Sequence, residues 1–182
     1  MIKKLFVILL CLSMLVGCSA TNNERKLLVT DIVGENNLSE EQLTDLLHEQ
    51  FSGIDVKYEE KYFDEFVNIY LTDAYEVPKT QEDVDQAVRD SSLSIMIIAR
   101  YVAENYKYDN ACRINLEMKL NGATITYFTG SDDFNYLEGG DNATLLNSYM
   151  NKITVFISGD KDIKTSLINS FKKQFNITPE YI

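Results

Sequence analysis

The stretch from Cys112 to Tyr127 constrains the fold of this chain more than any other. Apolar and polar residues alternate through its first half, which is typical of a strand with one buried face. Asn121-Gly122 then supplies the positive φ angles of a two-residue type I′ turn. The hairpin so formed places one set of apolar side chains on a single face: Cys112, Ile114, Leu116, Met118, Leu120, Ala123, Ile125 and Tyr127. These apolar side chains must be buried against another element of the chain.

A long amphipathic helix over residues 81–105 is predicted to pack on this face of the hairpin. Thr80 and Asp83 mark its start as an N-cap pair. Apolar and small residues follow at spacings of three and four, the period of one helical face: Val84, Ala87, Val88, Ser91, Ile95, Ile98, Ala99, Val102 and Tyr106. From Leu93 to Ala99 the chain is apolar on almost every side, so we expect this turn to be covered from several directions.

The remaining patterns extend this hairpin and helix to one α+β domain. Ser39 and Gln42 form a capping-box pair that opens a helix ending near Gly53. The other predicted elements are strands at 26–33, 54–60, 65–72 and 152–158, a short helix from Asn142 to Met150, and a helix at 161–175. We expect a mainly antiparallel sheet with helices 81–105 and 161–175 packed on one side, and no internal repeat.

The first eighteen residues have a different character. Lys3 and Lys4 precede an apolar run from Leu5 to Val16, interrupted only by Ser13. A short basic start, a brief apolar core and small residues at the end are the features of an export signal, which is too short to span a bilayer stably.

The end of this leader, Leu15-Val16-Gly17-Cys18, resembles the lipobox of bacterial lipoproteins. The resemblance implies diacylglycerol transfer to the Cys18 thiol and cleavage between Gly17 and Cys18. Two or three acyl chains on one residue suffice for stable anchoring to a membrane. The expected organisation is a signal peptide at 1–18, a polar tether at 19–25 and an extracytoplasmic domain at 26–182. Val16 departs from the lipobox pattern, in which Ala or Ser is commoner at this position.

Charge and cysteine content restrict the classes of partner. The chain has a formal net charge of −11, which becomes −13 once Lys3 and Lys4 leave with the signal. This excess of acidic residues argues against a nucleic-acid partner, because binding to nucleic acid depends on Lys and Arg side chains that neutralise its phosphates. Cys11 leaves with the signal and Cys18 carries lipid, so Cys112 is the one thiol expected to remain. An intramolecular disulfide and a zinc cluster are then both excluded.

The sequence assigns no catalytic, cofactor-binding or metal-binding residue. His48, the single histidine, lies off the apolar stripe of its helix and is expected to be solvated. Cys112 is expected to be a buried small hydrophobe. The acidic loop Asp132–Asp141 could gather carboxylates around a cation, but it misses the EF-hand spacing and is interpreted as an ordinary surface loop. Six aromatics could form a stacking surface for sugars or a partner: Tyr58, Tyr62, Phe63, Tyr75, Phe134 and Tyr136. The chain has no Trp, the strongest stacking side chain, and core packing with single exposed rings is the favoured interpretation for most of the six.

These features predict a lipid-anchored, extracytoplasmic binding or accessory protein of the bacterial cell envelope. Its partners would be the membrane, through the lipid on Cys18, and either an envelope protein or a small ligand. The alternative is a cell-envelope enzyme that uses carboxylate acid/base chemistry on a glycan. A cleft with two close, buried carboxylates would favour the enzyme, whereas an aromatic patch rimmed by charge would favour the binding protein.

Overall fold

A computed structural model describes residues 38–61, 64–75, 80–108, 111–120, 122–134 and 142–181. The signal peptide, Cys18, the tether and the strand predicted at 26–33 lie outside these residues. Within them, no helix is both long enough and apolar enough to cross a membrane.

The described residues form four α-helices, one 3₁₀ helix and six strands of a single sheet. In chain order they are α1 (Glu40–Gln50), β1 (Ile54–Lys61), β2 (Asp64–Tyr75), α2 (Gln81–Asn105), β3 (Ala111–Leu120), β4 (Ala123–Gly130), the 3₁₀ helix (Ser131–Phe134), α3 (Asn142–Met150), β5 (Thr154–Gly159), α4 (Lys161–Phe175) and β6 (Glu180–Tyr181). The predicted α+β class is confirmed.

The strands lie in the sheet in the same order as in the chain. Pairs β1–β2, β3–β4 and β4–β5 are antiparallel, whereas β2–β3 and β5–β6 are parallel. Antiparallel neighbours need only a turn, but parallel neighbours need a crossover. Helices α2 and α4 provide these crossovers. The topology therefore repeats once, as a pair of antiparallel strands followed by a helix and a parallel strand.

The β3–β4 hairpin has the predicted register. Leu116 pairs with Tyr127, Met118 with Ile125 and Leu120 with Ala123, so the loop has two residues. Burial alternates along both strands, with the predicted apolar set facing the helices. Gly122 has φ 88°, a value that favours glycine over residues with a Cβ.

Helix α2 is the central packing element. Thr80 caps it as predicted, accepting a hydrogen bond from the Asp83 backbone N–H at 3.2 Å. Every residue from Ser94 to Ala99 is buried, which confirms that this part of the helix is covered from several directions. Fully burying one apolar side chain of this size contributes about 1.5–3 kcal/mol, so α2 carries a large share of the core.

All four helices pack on one face of the sheet. The Tyr127 ring on β4 lies 6.0 Å from that of Phe171 on α4, and its hydroxyl contacts Ser92 on α2 at 3.3 Å. At the end of α1, the Phe51 ring meets Tyr101 edge to face at 5.3 Å. The Ser39 capping box opens α1 as predicted. The one-sided arrangement leaves the opposite sheet face without a helix from the described part of the chain.

The bounds of two strands differ from the prediction by two or more residues at one end. Strand β2 continues to Tyr75, where a loop was expected from Asp73, and β5 spans Thr154–Gly159 where 152–158 was expected. The additional residues of β2 are held by β3, because Tyr75 pairs with Leu120 after a register shift beyond Leu71. Pairing with a strand that is distant in sequence cannot be detected in local periodicity.

Candidate functional site

Cys112 is buried against the helices, as predicted. The residue is 1% exposed, and its pKa is raised to about 12, first by burial and then by the negative charge of Glu65. Arg113 lowers this pKa slightly, but its side chain lies on the other face of β3, where its Nε is 3.3 Å from Asp64 Oδ2. A thiol in this state is protonated at neutral pH and serves as a small apolar group.

We therefore expect Cys112 to resist thiol reagents in the folded protein. A chain beginning at Ser19 contains Cys112 as its single cysteine. At pH 8, less than about one thiol in a thousand is ionised when the pKa is near 12, and burial blocks access as well. Labelling with a chromogenic disulfide reagent should be at least about 100-fold slower in buffer than in denaturant. Equal rates in both conditions would contradict the buried placement.

A groove of about 120 Å³ lies beside α1, at one end of the sheet. It is lined by acidic and tyrosine side chains: Glu40, Tyr58, Glu59, Glu60, Glu65 and Tyr106. The Tyr106 hydroxyl donates a hydrogen bond to Glu65 Oε2 at 2.8 Å, and the Tyr58 hydroxyl donates one to the Glu40 carbonyl at 2.9 Å. Burial and the contact with Glu65 raise the pKa of Tyr106. Both phenols are thus neutral; that of Tyr58 holds α1 to the sheet, and that of Tyr106 joins the end of α2 to β2.

The structure supplies no pair of close, buried carboxylates within its described residues. Asp85, at 7% exposure, is the one acidic side chain there that is buried. It accepts hydrogen bonds from Gln81 and Lys173, and these contacts lower its pKa. Helices α2 and α4 are thereby joined by an ionised carboxylate, which is a structural contact. In the same residues, no group of three or more metal-binding side chains is placed to hold an ion.

Replacing Asp85 with asparagine should lower the free energy of unfolding by about 1–2 kcal/mol at pH 7, because two charge-assisted contacts are weakened. The effect is modest because the Lys173 side chain is 71% exposed and screened by solvent. The folded pKa of Asp85 is lowered, so its contribution is complete above the unfolded value of about 3.9 and is lost as pH falls through the folded value.

Urea titrations of both proteins from pH 7 to pH 2 measure this dependence. The difference between wild type and Asp85→Asn should be constant from pH 7 to about pH 5 and should shrink at lower pH. A difference that grows on acidification would contradict the assignment. The Asp90→Asn substitution, at a half-buried position further along α2 whose carboxylate accepts a hydrogen bond from Gln86, provides a comparison with no lysine contact in the described residues.

The part of the acidic loop that the structure describes has a structural role. Asp133 Oδ2 accepts hydrogen bonds from Thr129 Oγ1 at 2.9 Å and from the Gly130 N–H at 2.7 Å. The Phe134 carbonyl accepts a hydrogen bond from the Arg100 side chain at 3.1 Å. The Phe134 ring stacks on the Tyr149 ring, with their centroids 5.1 Å apart. These contacts join the 3₁₀ helix to α2 and α3. Residues 135–141 lie outside the described part of the chain.

The other candidates from the sequence have simple environments. His48 is exposed on α1, as predicted. Of the aromatics proposed for sugar stacking, Tyr58 packs inward against Tyr106 at 5.5 Å and Phe134 is buried. Phe134 therefore belongs to the packed interior, as core packing predicts, whereas Tyr58 is half-buried and lines the groove beside α1. Tyr62, Phe63, Tyr136 and the side chain of Tyr75 lie outside the description.

A different aromatic surface lies on the sheet face turned away from the helices, which we name the outward face. Four half-buried rings stand on it: Phe66, Tyr70, Phe128 and Phe156. Its other described side chains, which the strand registers place on the same side, include Asp55, Lys57, Glu59, Lys61, Asp64, Asn68, Ala111, Arg113, Asn115, Glu117, Lys119, Thr124, Thr126, Thr154 and Ser158. The surface carries aromatic rings on β2, β4 and β5, and charges of both signs on β1, β2 and β3.

Two asparagines occupy the middle of the outward face. Asn68 and Asn115 are neighbours in the β2–β3 register, and the Asn115 amide donates a hydrogen bond to Asn68 Oδ1 at 2.7 Å. The Asn68 amide nitrogen is buried and has no hydrogen-bond partner. An unpaired buried donor is unfavourable by about 1–3 kcal/mol, so this position would gain from an acceptor.

The sequence carries a signal for this face in the alternation of β2. In β2 the side chains opposite the core set Val67, Ile69 and Leu71 are Phe66, Asn68 and Tyr70, two of which are aromatic. An entirely solvated face would more often be charged.

Comparisons of the chain with protein-family profiles, curated proteins and solved structures found no match.

Proposed function

We propose that this chain is a lipid-anchored binding or accessory protein on the extracytoplasmic face of a bacterial cell membrane. The observation that carries the proposal is the leader ending in Leu15-Val16-Gly17-Cys18, which is followed by a single α+β domain. Lipid on Cys18 would hold the domain at the membrane surface. The net negative charge suits a domain that is solvated beside anionic lipid and does not lie flat on it.

Fatty-acid labelling of the full chain in a bacterial host tests the anchor. The wild-type chain should incorporate an alkyne-tagged fatty acid, fractionate with membranes and lose its leader. Cys18→Ala should abolish the label, whereas Cys11→Ala, a matched change within the leader, should retain it. Unlabelled wild-type chain, or label that survives Cys18→Ala, would refute lipid anchoring at this residue.

We further assign the contact surface of the domain to the outward face. Aromatic side chains interspersed with polar and charged ones are typical of protein contact sites, and the described helices all pack on the opposite side. Among the described residues, the buried carboxylate of Asp85 and the half-buried one of Asp133 are both held in structural contacts. This arrangement favours binding over the enzyme alternative.

Site-specific photo-crosslinking on intact cells tests this surface. A photoreactive residue at Thr126, in the middle of the outward face, should form a defined adduct with another polypeptide. Thr165 on α4 is exposed on the helix side and serves as the matched position. Equal adducts from both positions, or adducts from Thr165 alone, would exclude the outward face as the contact surface.

A further inference from the structure

Strand β1 forms one edge of the sheet, and no strand lies beside its outer edge in the described part of the chain. All eight residues from Ile54 to Lys61 pair with β2 in a continuous register. The backbone N–H and C=O groups on the other side of such a strand are available to a further strand. An edge about 26 Å long is therefore a place where an extended peptide can add to the sheet.

The lysine side chains of β1 do not close this edge. Proteins commonly protect an edge strand with charged side chains, lysine above all. Here the Lys57 Nζ lies 5.0 Å from the centroid of the Tyr70 ring, and the Lys61 Nζ lies 5.8 Å from that of the Phe66 ring. Both rings belong to β2, so the two lysines turn back over the outward face. Each lysine also contacts an acidic side chain of β1, which balances its charge within the chain.

The groove beside α1 borders the same strand on its helix-facing side. Tyr58 and Glu60 line the groove from β1, and Glu40 lines it from the first turn of α1. The rings of Tyr58 and Tyr106 lie 5.5 Å apart and form its aromatic wall. Its volume of about 120 Å³, that of about four water molecules, accommodates the end of one long side chain.

The charges of the groove indicate which side chain fits it. Glu60 lies directly opposite Glu65 in the β1–β2 register, and like charges in this position repel each other. None of the ion pairs in the described residues includes Glu60. A lysine or arginine side chain placed between α1 and β1 would relieve this repulsion, and its methylene groups would contact the tyrosine rings.

We propose that β1 binds an extended segment of a partner polypeptide, with a lysine or arginine of that segment entering the groove beside α1. Backbone hydrogen bonds to the open edge supply affinity, and the groove selects the side chain at one position. Val56 and Tyr58 are half-buried on the helix-facing side of β1, so the neighbouring positions of the segment favour apolar residues. This contact goes beyond the outward face, because it uses the edge of the sheet.

Peptide binding to the full lipidated chain in mild detergent tests the proposal, at about 0.15 M salt, where charges more than about 8 Å apart are largely screened. The probe is the fluorescein-labelled peptide Lys-Thr-Val-Thr-Val-Thr-Lys, whose two lysines lie on one face and suit either strand direction. Fluorescence anisotropy should show saturable binding. The same peptide methylated at every internal backbone nitrogen keeps both charges but lacks the N–H donors, so it should bind at least about tenfold more weakly.

Two charge reversals locate the bound lysine. Glu60→Lys places a cation at the groove and should weaken binding of the unmodified peptide at least about tenfold. Glu49→Lys changes the net charge equally at an exposed position in the last turn of α1, and it should leave the affinity within about twofold of wild type. Thermal unfolding of each variant confirms that it is folded.

Each outcome of these measurements has a definite reading. Absence of saturable binding, or equal binding of the methylated peptide, overturns pairing along β1. Equal weakening by both charge reversals would mean that the peptide responds to net charge alone, which rejects the groove as the lysine site. A wild type that is a dimer by sedimentation and binds no peptide would assign the edge to a second copy and overturn the proposal. Crosslinks from Thr126 test the outward face separately.

Discussion

Replacing Gly159 with alanine is expected to lower the free energy of unfolding by about 3–5 kcal/mol, as the combined effect of backbone strain and overpacking. Gly159 ends β5 with φ 127°, where an L side chain is strained. A Cβ at this position would lie 2.2 Å from the Gly122 carbonyl oxygen and 2.5 Å from the Ala123 Cα. Both atoms belong to the backbone of the β3–β4 hairpin, so neither can move aside without disturbing the register.

Gly122→Ala is the matched control for this prediction. Its φ is also positive, at 88°, but a Cβ there would meet Asp160 Oδ2 at 2.6 Å and Ile163 Cδ1 at 2.7 Å, the ends of two flexible side chains. These can rotate away, so we expect a loss of about 1–2 kcal/mol. Urea unfolding of both variants and the wild type measures the difference. A Gly159→Ala protein as stable as Gly122→Ala would contradict the close approach of β5 to the hairpin turn.

Truncating Phe171 to alanine is expected to lower the free energy of unfolding by a similar amount, about 3–5 kcal/mol. Phe171 is fully buried where α4 packs on the sheet, and its ring contacts those of Tyr127 at 6.0 Å and Phe175 at 6.1 Å. Removing the ring forfeits its transfer free energy and leaves a cavity, because the strand and the helix cannot both close on the space.

Two further substitutions make this measurement specific. Phe171→Leu keeps most of the apolar volume and should be less destabilising than the alanine variant. Lys172→Ala, at the next and exposed position of α4, should change stability by less than about 0.5 kcal/mol. A Phe171→Ala loss below about 1 kcal/mol would mean that α4 does not pack on the sheet through this ring.

Several elements were predictable because their causes are local. The N-cap of Thr80, the capping box of Ser39 and the hairpin turn before Ala123 each involve residues a few positions apart. The alternation along β3 and β4 likewise identified their buried faces correctly. Cys112 was correctly placed inside for the same reason, since its position in that alternation determines the face on which its thiol lies.

The outward face was missed because its residues are distributed over five strands. Phe66 and Phe128 come from separate strands, and only the register through β3 brings them onto one surface. The β2–β3 pairing is parallel and is separated by the whole of α2, so no turn signal in the sequence announces it. The tail of β2 near Tyr75 was missed for the same reason.

The sequence by itself predicted the α+β class, the caps of the main helices and the buried set of the hairpin, and it alone carries the proposal of an export leader. All of these follow from the chemistry and periodicity of neighbouring residues. Only the tertiary structure decided the order of the six strands, the α2–α4 contact of Asp85 with Lys173 and the composition of the outward face. These features depend on contacts between residues far apart in the chain, whose free energy appears only when the whole sheet and its helices are assembled.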